Sequence, residues 1–133
     1  ELRRFYQELN HFVRNNEAIH SGQFYDLQWA NREATSAGYD ATRVYSYLRY
    51  TPDQKLLCVY NFDKNRTINT RVVVPAHALV DSMQLDQQAT FQLKEVFPKN
   101  NLSGEISGNN LTQGGFPITL PPSSVFILPL KEK

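Results

Sequence analysis

Residues 43–62 read RVYSYLRY-TPDQ-KLLCVYNF, two β-forming runs either side of a turn. Arg43 to Tyr50 and Leu56 to Phe62 are rich in β-branched and aromatic side chains, which suit a pleated, half-buried surface. Between them Thr51-Pro52-Asp53-Gln54 forms a turn, because proline presets φ at its second position. Two such runs around such a turn predict a β-hairpin.

The same signals recur on either side. Upstream, Tyr25, Leu27 and Trp29 alternate with Asp26 and Gln28, which predicts a half-buried strand. Asn31 to Asp40 has no apolar period and predicts a loop. Downstream of the break at Asp63-Lys64-Asn65, Thr67 to Val74 reads as a strand ended by Pro75, and Ala76 to Ser82 as one short helical turn. Thr90 to Phe97 is the next strand, ended by Pro98. Asn100 to Gly115 is rich in Asn, Gly and Ser with apolar islands at Ile106 and Leu111. Its Ser107-Gly108-Asn109-Asn110 and Gln113-Gly114-Gly115 segments read as hairpin turns. Phe116 to Leu120 and Val125 to Leu130 are the last strands, split by Pro121-Pro122-Ser123.

The N-terminal segment follows a different period. Leu2, Phe5, Tyr6, Leu9, Phe12 and Val13 form one apolar stripe at 3.6-residue spacing, and the helix they predict stops near Asn15-Asn16. One amphipathic helix followed by about six to eight short strands, with turn signals at intervals of about 8–12 residues, predicts an antiparallel Greek-key-type β-sandwich rather than βαβ units. The stripe is wide for a helix lying on a small sandwich. Left uncovered it is an apolar patch of roughly several hundred Å², so the helix is expected to pack back onto the sandwich or to pair with a second copy of the chain.

Composition narrows the function. The chain has 133 residues, too few for a (β/α)₈ barrel of roughly 250. Fourteen Lys and Arg against thirteen Asp and Glu leave +1, with no electrostatic footprint for nucleic acid. No apolar run approaches the roughly 18 residues of a membrane span. A single cysteine, Cys58, excludes an internal disulfide and a Cys-rich zinc site. It sits mid-strand and reads as a buried small hydrophobe rather than a nucleophile. The three histidines, His11, His20 and His77, lack metal-ligand spacing, so neither metal nor cofactor is expected. No spacing nominates a pair of catalytic carboxylates. Aromatic residues make up 12%, and sugar-binding surfaces use exposed rings to stack on pyranose C–H groups. Tyr25, Trp29 and Tyr39 are the candidates for such contact, against core and hairpin packing as the alternative.

Three stretches together resemble the end of an α-amylase family glycoside hydrolase. Phe5-Tyr6-Gln7-Glu8-Leu9, running through Val13-Arg14 to Asn16-Glu17-Ala18-Ile19-His20-Ser21-Gly22-Gln23-Phe24, is similar to the last helix of that family's catalytic barrel and its exit. Leu56-Leu57-Cys58-Val59-Tyr60-Asn61-Phe62-Asp63 is similar to the central strand of the family's C-terminal domain, and Ile118 to Leu130 to its closing strand. Order and spacing agree over nearly the whole chain. Glu17 stands where the family usually has proline, and Tyr60 replaces an aliphatic residue.

The resemblance implies two parts: residues 1–21 as the final helix and exit of a barrel, and 22–133 as a C-terminal sandwich. It implies a parent that is a retaining α-glycosidase acting on starch and maltooligosaccharides, with secreted or periplasmic the expectation for its compartment. The family's Asp nucleophile, Glu acid/base and third Asp lie on barrel strands, and none of Asp26, Asp40, Asp53, Asp63, Asp81 or Asp86 matches them. The chain is therefore expected to be inactive alone, with the upstream barrel as partner, weak α-glucan contact, and the stripe from Leu2 to Val13 as the barrel- or self-association face. The alternative is a free-standing carbohydrate-binding or interaction sandwich.

Overall fold

The computed structural model describes residues 2–33, 39–97 and 102–133. It contains strands β1 (Gln23–Asp26), β2 (Val44–Tyr50), β3 (Lys55–Asn61), β4 (Ile68–Val72), β5 (Thr90–Lys94), β6 (Ser103–Ser107), β7 (Phe116–Leu120) and β8 (Ser124–Glu132). Helices are α1 (Leu2–Asn15), α2 (Glu17–Ser21), α3 (Gln28–Glu33) and α4 (Gly108–Gln113), with a π-helical turn at His77–Ser82.

The predicted hairpin is β2–β3, paired antiparallel from Val44↔Asn61 to Tyr50↔Lys55. Its turn is closed by Thr51 N–H donating to the Gln54 carbonyl at 2.7 Å, and the Thr51 hydroxyl accepts from Gln54 N–H at 3.1 Å. Around it grows a six-stranded sheet in the order β1-β2-β3-β8-β5-β6. Strand β8 is long enough to pair twice, with β3 over Ser124–Pro129 and with β5 over Leu130–Glu132. Strands β4 and β7 form a second, two-stranded antiparallel sheet. Chain neighbours β3 and β4, and likewise β7 and β8, lie in different sheets, so these connections cross the sandwich as in Greek-key folds.

Burial explains the residue patterns. β4 and β7 alternate strictly between buried and exposed, as strands with one face on a core must. Their inward side chains, Ile68, Val72, Phe116, Ile118 and Leu120, pack in one cluster with Leu48, Leu57, Val59, Phe126 and Leu128 of the large sheet. β3 does not alternate: Leu56, Leu57, Cys58 and Val59 are all buried. Leu57 and Val59 face the inner core, whereas Leu56 and Cys58 join Ala18, Phe97 and Ile127 on the outer face. An unbroken apolar run marks a strand covered on both sides, and here the outer cover is the N-terminal helical segment.

That cover is held by the hairpin itself. Arg49 donates from Nε to the Ala18 carbonyl at 3.1 Å and from an Nη to the Ile19 carbonyl at 2.7 Å, satisfying carbonyls that end α2. The Gln54 side chain accepts from Ala18 N–H at 3.0 Å and donates to Asn16 Oδ1 at 2.7 Å. α1 seats through its C-terminal half, where the Phe12 and Phe97 rings lie 5.4 Å apart. Beside that contact a groove of about 570 Å³ stays open between α1 and Val96-Phe97.

Several expectations change. Trp29 is on a helix, not a strand: the Asp26 carboxylate accepts from Gln28 N–H at 2.9 Å, and this Asx turn ends β1 and starts α3. The expected loop from Asn31 is helical to Glu33, and 34–38 lie outside the described residues. The turn read at Ser107-Gly108-Asn109-Asn110 is the start of α4, because the Ser107 hydroxyl caps Asn110 N–H at 3.1 Å. Within the expected loop Asn100 to Gly115, β6 forms at Ser103–Ser107 as the partner of β5, and residues 98–101 are outside the described set. β5 ends at Lys94 because the chain then turns to β8, with Val96 N–H donating to the Ile127 carbonyl at 2.9 Å.

Candidate functional site

Two of the three residues expected to touch sugar come together. The Tyr25 and Trp29 ring centroids are 6.5 Å apart at 49°, and Trp29 is 45% exposed. The structure adds His77, whose ring lies 5.7 Å from that of Tyr25 and whose Nδ1 is 3.0 Å from the Tyr25 hydroxyl. Burial pushes this hydroxyl above the ordinary phenol range, partly offset by a hydrogen bond from the Trp29 side chain. At neutral pH it is a neutral group able to donate or accept.

Tyr39 stands apart from this trio. Its hydroxyl bonds to Gln28 Oε1 and lies 2.8 Å from Ser46 Oγ. Burial pushes it up to about 12. Gln28 in turn accepts from Ser46 N–H at 3.1 Å and donates to the Val44 carbonyl at 3.0 Å, so Tyr39 helps fasten α3 to β2 and is not a surface ring.

A second aromatic group lies on the outer face of the large sheet, where sequence reasoning did not nominate a site. Phe24, Tyr47, Tyr60 and Phe62 form a ladder with centroid separations of 5.2, 5.9 and 5.7 Å, and Tyr45 joins at 5.5 Å from Tyr47. Its ends are open, with Phe24 50% and Phe62 62% exposed. Its middle is tied by the Tyr47 and Tyr60 hydroxyls, 3.2 Å apart. Rings are tilted 32–42° along the ladder, so they make a ridged surface rather than one flat platform. The signal was present: Tyr45/Tyr47 on β2 and Tyr60/Phe62 at and just past the end of β3 are i, i+2 pairs, and the register sets Tyr45 opposite Tyr60.

No family model matches the chain, and no curated protein matches it.

Of the stripe expected to form an association face, Phe12 and Val13 are half-buried on α1. Leu2, Phe5, Tyr6 and Leu9 lie on the same helix, but their side chains fall outside the described set. Among the described residues no group of three or more His, Cys, Asp or Glu is placed to hold a metal ion, and no helix is long and apolar enough to cross a membrane.

The charged cluster below the sheet is structural. Asp63 is buried and bonds Arg66 Nε at 2.9 Å and an Arg43 Nη at 3.2 Å. Its carboxyl is held below the usual range chiefly by the Asn65 backbone N–H, then by the Arg66 side chain and N–H and by Arg43. These bonds all serve the turn out of β3. Cys58 is buried between Leu56 and Ile127, and burial pushes its thiol up to about 12. It is a protonated packing group at neutral pH.

Proposed function

We propose that this chain is the non-catalytic C-terminal domain of an α-amylase-type glycosidase, and that the outer face of its large sheet docks on the catalytic barrel upstream. The reading starts from the three stretches that resemble that family. What supports it in three dimensions is one observation: the outer face is only half covered. α1 and α2 close the half nearest the β2–β3 turn, and the other half is left as the ladder from Phe24 to Phe62. A surface rich in Phe and Tyr and continuous with a packed core has the composition of an interface. The open groove beside Phe12 extends the uncovered area along α1.

In this role the sandwich supplies no reacting group. It shields apolar barrel surface and holds the last barrel helix. Starch hydrolysis by the chain made together with its natural upstream reading frame tests the reading. That longer protein is expected to release reducing sugar, and the 133-residue chain none. Phe24→Ser with Phe62→Ser is expected to lower the thermal midpoint of the longer protein by several degrees while barely moving that of the chain alone. Hydrolysis by the chain alone, or a longer protein indifferent to both substitutions, contradicts the proposal.

A further inference from the structure

We propose that Trp29, Tyr25 and His77 form a surface subsite for a glucose unit of an α-1,4-glucan, on a part of the domain separate from the aromatic ladder. Three observations carry it. First, α3 turns its small and polar residues inward: Ala30 and Asn31 are buried while the largest side chain, Trp29, is 45% exposed. Second, the ring is rigidly presented. The Asn31 amide donates to the Val73 carbonyl at 3.0 Å and accepts from Val73 N–H at 2.7 Å, pinning α3 to the segment that leads, four residues on, into the π-helical turn carrying His77. Trp29 and His77 are thus fixed relative to one anchor. Third, the exposed apolar ring has polar groups suited to sugar hydroxyls beside it: the Tyr25 ring lies 6.5 Å from the indole, and its hydroxyl is 3.0 Å from the His77 imidazole.

A pyranose offers an apolar C–H face and equatorial hydroxyls at its rim. The indole takes the face, and the Tyr25–His77 pair takes a hydroxyl, acting as donor or acceptor as the tautomer requires. The choice of α-1,4 linkage rests on the amylase-type reading; the sugar-stacking geometry does not.

Trp29 is the one tryptophan of the chain, so indole fluorescence reports this site alone. The full chain is titrated with maltoheptaose and, separately, with cellohexaose. Maltoheptaose is expected to shift the emission with saturation in the low-millimolar range. Calorimetry is expected to show at least about tenfold weaker binding for Trp29→Ala and a several-fold loss for His77→Ala, with the circular dichroism of both variants unchanged. Calorimetric binding that survives Trp29→Ala overturns the subsite. Silence toward both sugars overturns it too and leaves the domain reading standing. Cellohexaose bound at Trp29 in place of maltoheptaose overturns the α-glucan assignment together with the amylase-type reading behind it.

Discussion

Asn31 and Val73 pair as two strands would: the side-chain amide of one exchanges both hydrogen bonds with the backbone of the other, at 3.0 and 2.7 Å. Both residues are buried, and the same amide also donates to the Leu27 carbonyl at 2.9 Å. One asparagine thereby satisfies a backbone segment at the end of β4 that has left its sheet, and it locks α3 against the core.

Asn31→Ala leaves the N–H and C=O of Val73 buried without partners. Each such group costs about 1–3 kcal/mol, so a loss of about 3 kcal/mol is expected. Urea unfolding checks it: the midpoint should fall with the slope unchanged. Trp29 emission should shift as well, because α3 loses its anchor.

Gly115 has φ of 90°, and a Cβ there would lie 2.8 Å from the Val72 carbonyl carbon and oxygen. Backbone cannot give way as a side-chain tip can. Gly115→Ala is expected to destabilise by about 2–3 kcal/mol. At the adjacent Gly114, in helical conformation, the nearest atom to such a Cβ is 3.9 Å away, so Gly114→Ala should stay within about 0.5 kcal/mol of wild type. Thermal unfolding of the two variants side by side checks the contrast.

Cys58, Tyr39 and Tyr47 all have their acidic protons held more tightly in the fold than in the unfolded chain, mainly through burial. Above the unfolded cysteine value of about 8.5, the unfolded state releases protons that the native state keeps, so stability falls as pH rises. Unfolding midpoints should decline between about pH 8.5 and pH 11. At pH 8, a thiol reagent should label Cys58 slowly in the native chain and rapidly in denaturant.

Asp63 and Asp40 have the opposite sign. Asp63 is lowered first by the Asn65 N–H, and Asp40 first by the Thr42 hydroxyl, which donates at 2.6 Å. A carboxylate with a depressed folded value binds fewer protons in the native state, so its contribution is present above about pH 4 and is lost as pH falls through the folded value. Asp63→Asn should flatten the acid limb of a stability-against-pH curve while lowering the plateau at pH 7.

The hairpin, the breaks at Pro75 and at Pro121-Pro122, and the sandwich class were legible because local chemistry and tertiary burial agree there. The unbroken Leu56–Val59 run fits two covered faces, which only the structure brought out. The errors fall where a single side chain overrides the local pattern. Asp26 closes an Asx turn and converts the apparent alternation of Tyr25, Leu27 and Trp29 into a strand end and a helix start. Ser107 caps what reads as a hairpin loop, and Gly108 allows it, since a Cβ there would meet the Gln87 carbonyl oxygen at 2.2 Å. Of the three residues expected to touch sugar, Tyr25 and Trp29 meet because α3 turns Trp29 back toward β1. Tyr39 is fastened instead to Gln28 and to Ser46 of β2. His77 was hidden by its distance of 52 residues from Tyr25.

The proposal that this sandwich is one end of an α-amylase-type enzyme is decided by the nucleotide sequence upstream of the Glu1 codon. The expected result is an open frame of about 350 residues, within the range of a (β/α)₈ barrel with insertions, carrying the Asp, Glu and Asp motifs on its strands. A stop codon immediately upstream, or a frame encoding a different fold without those three carboxylates, rules the proposal out.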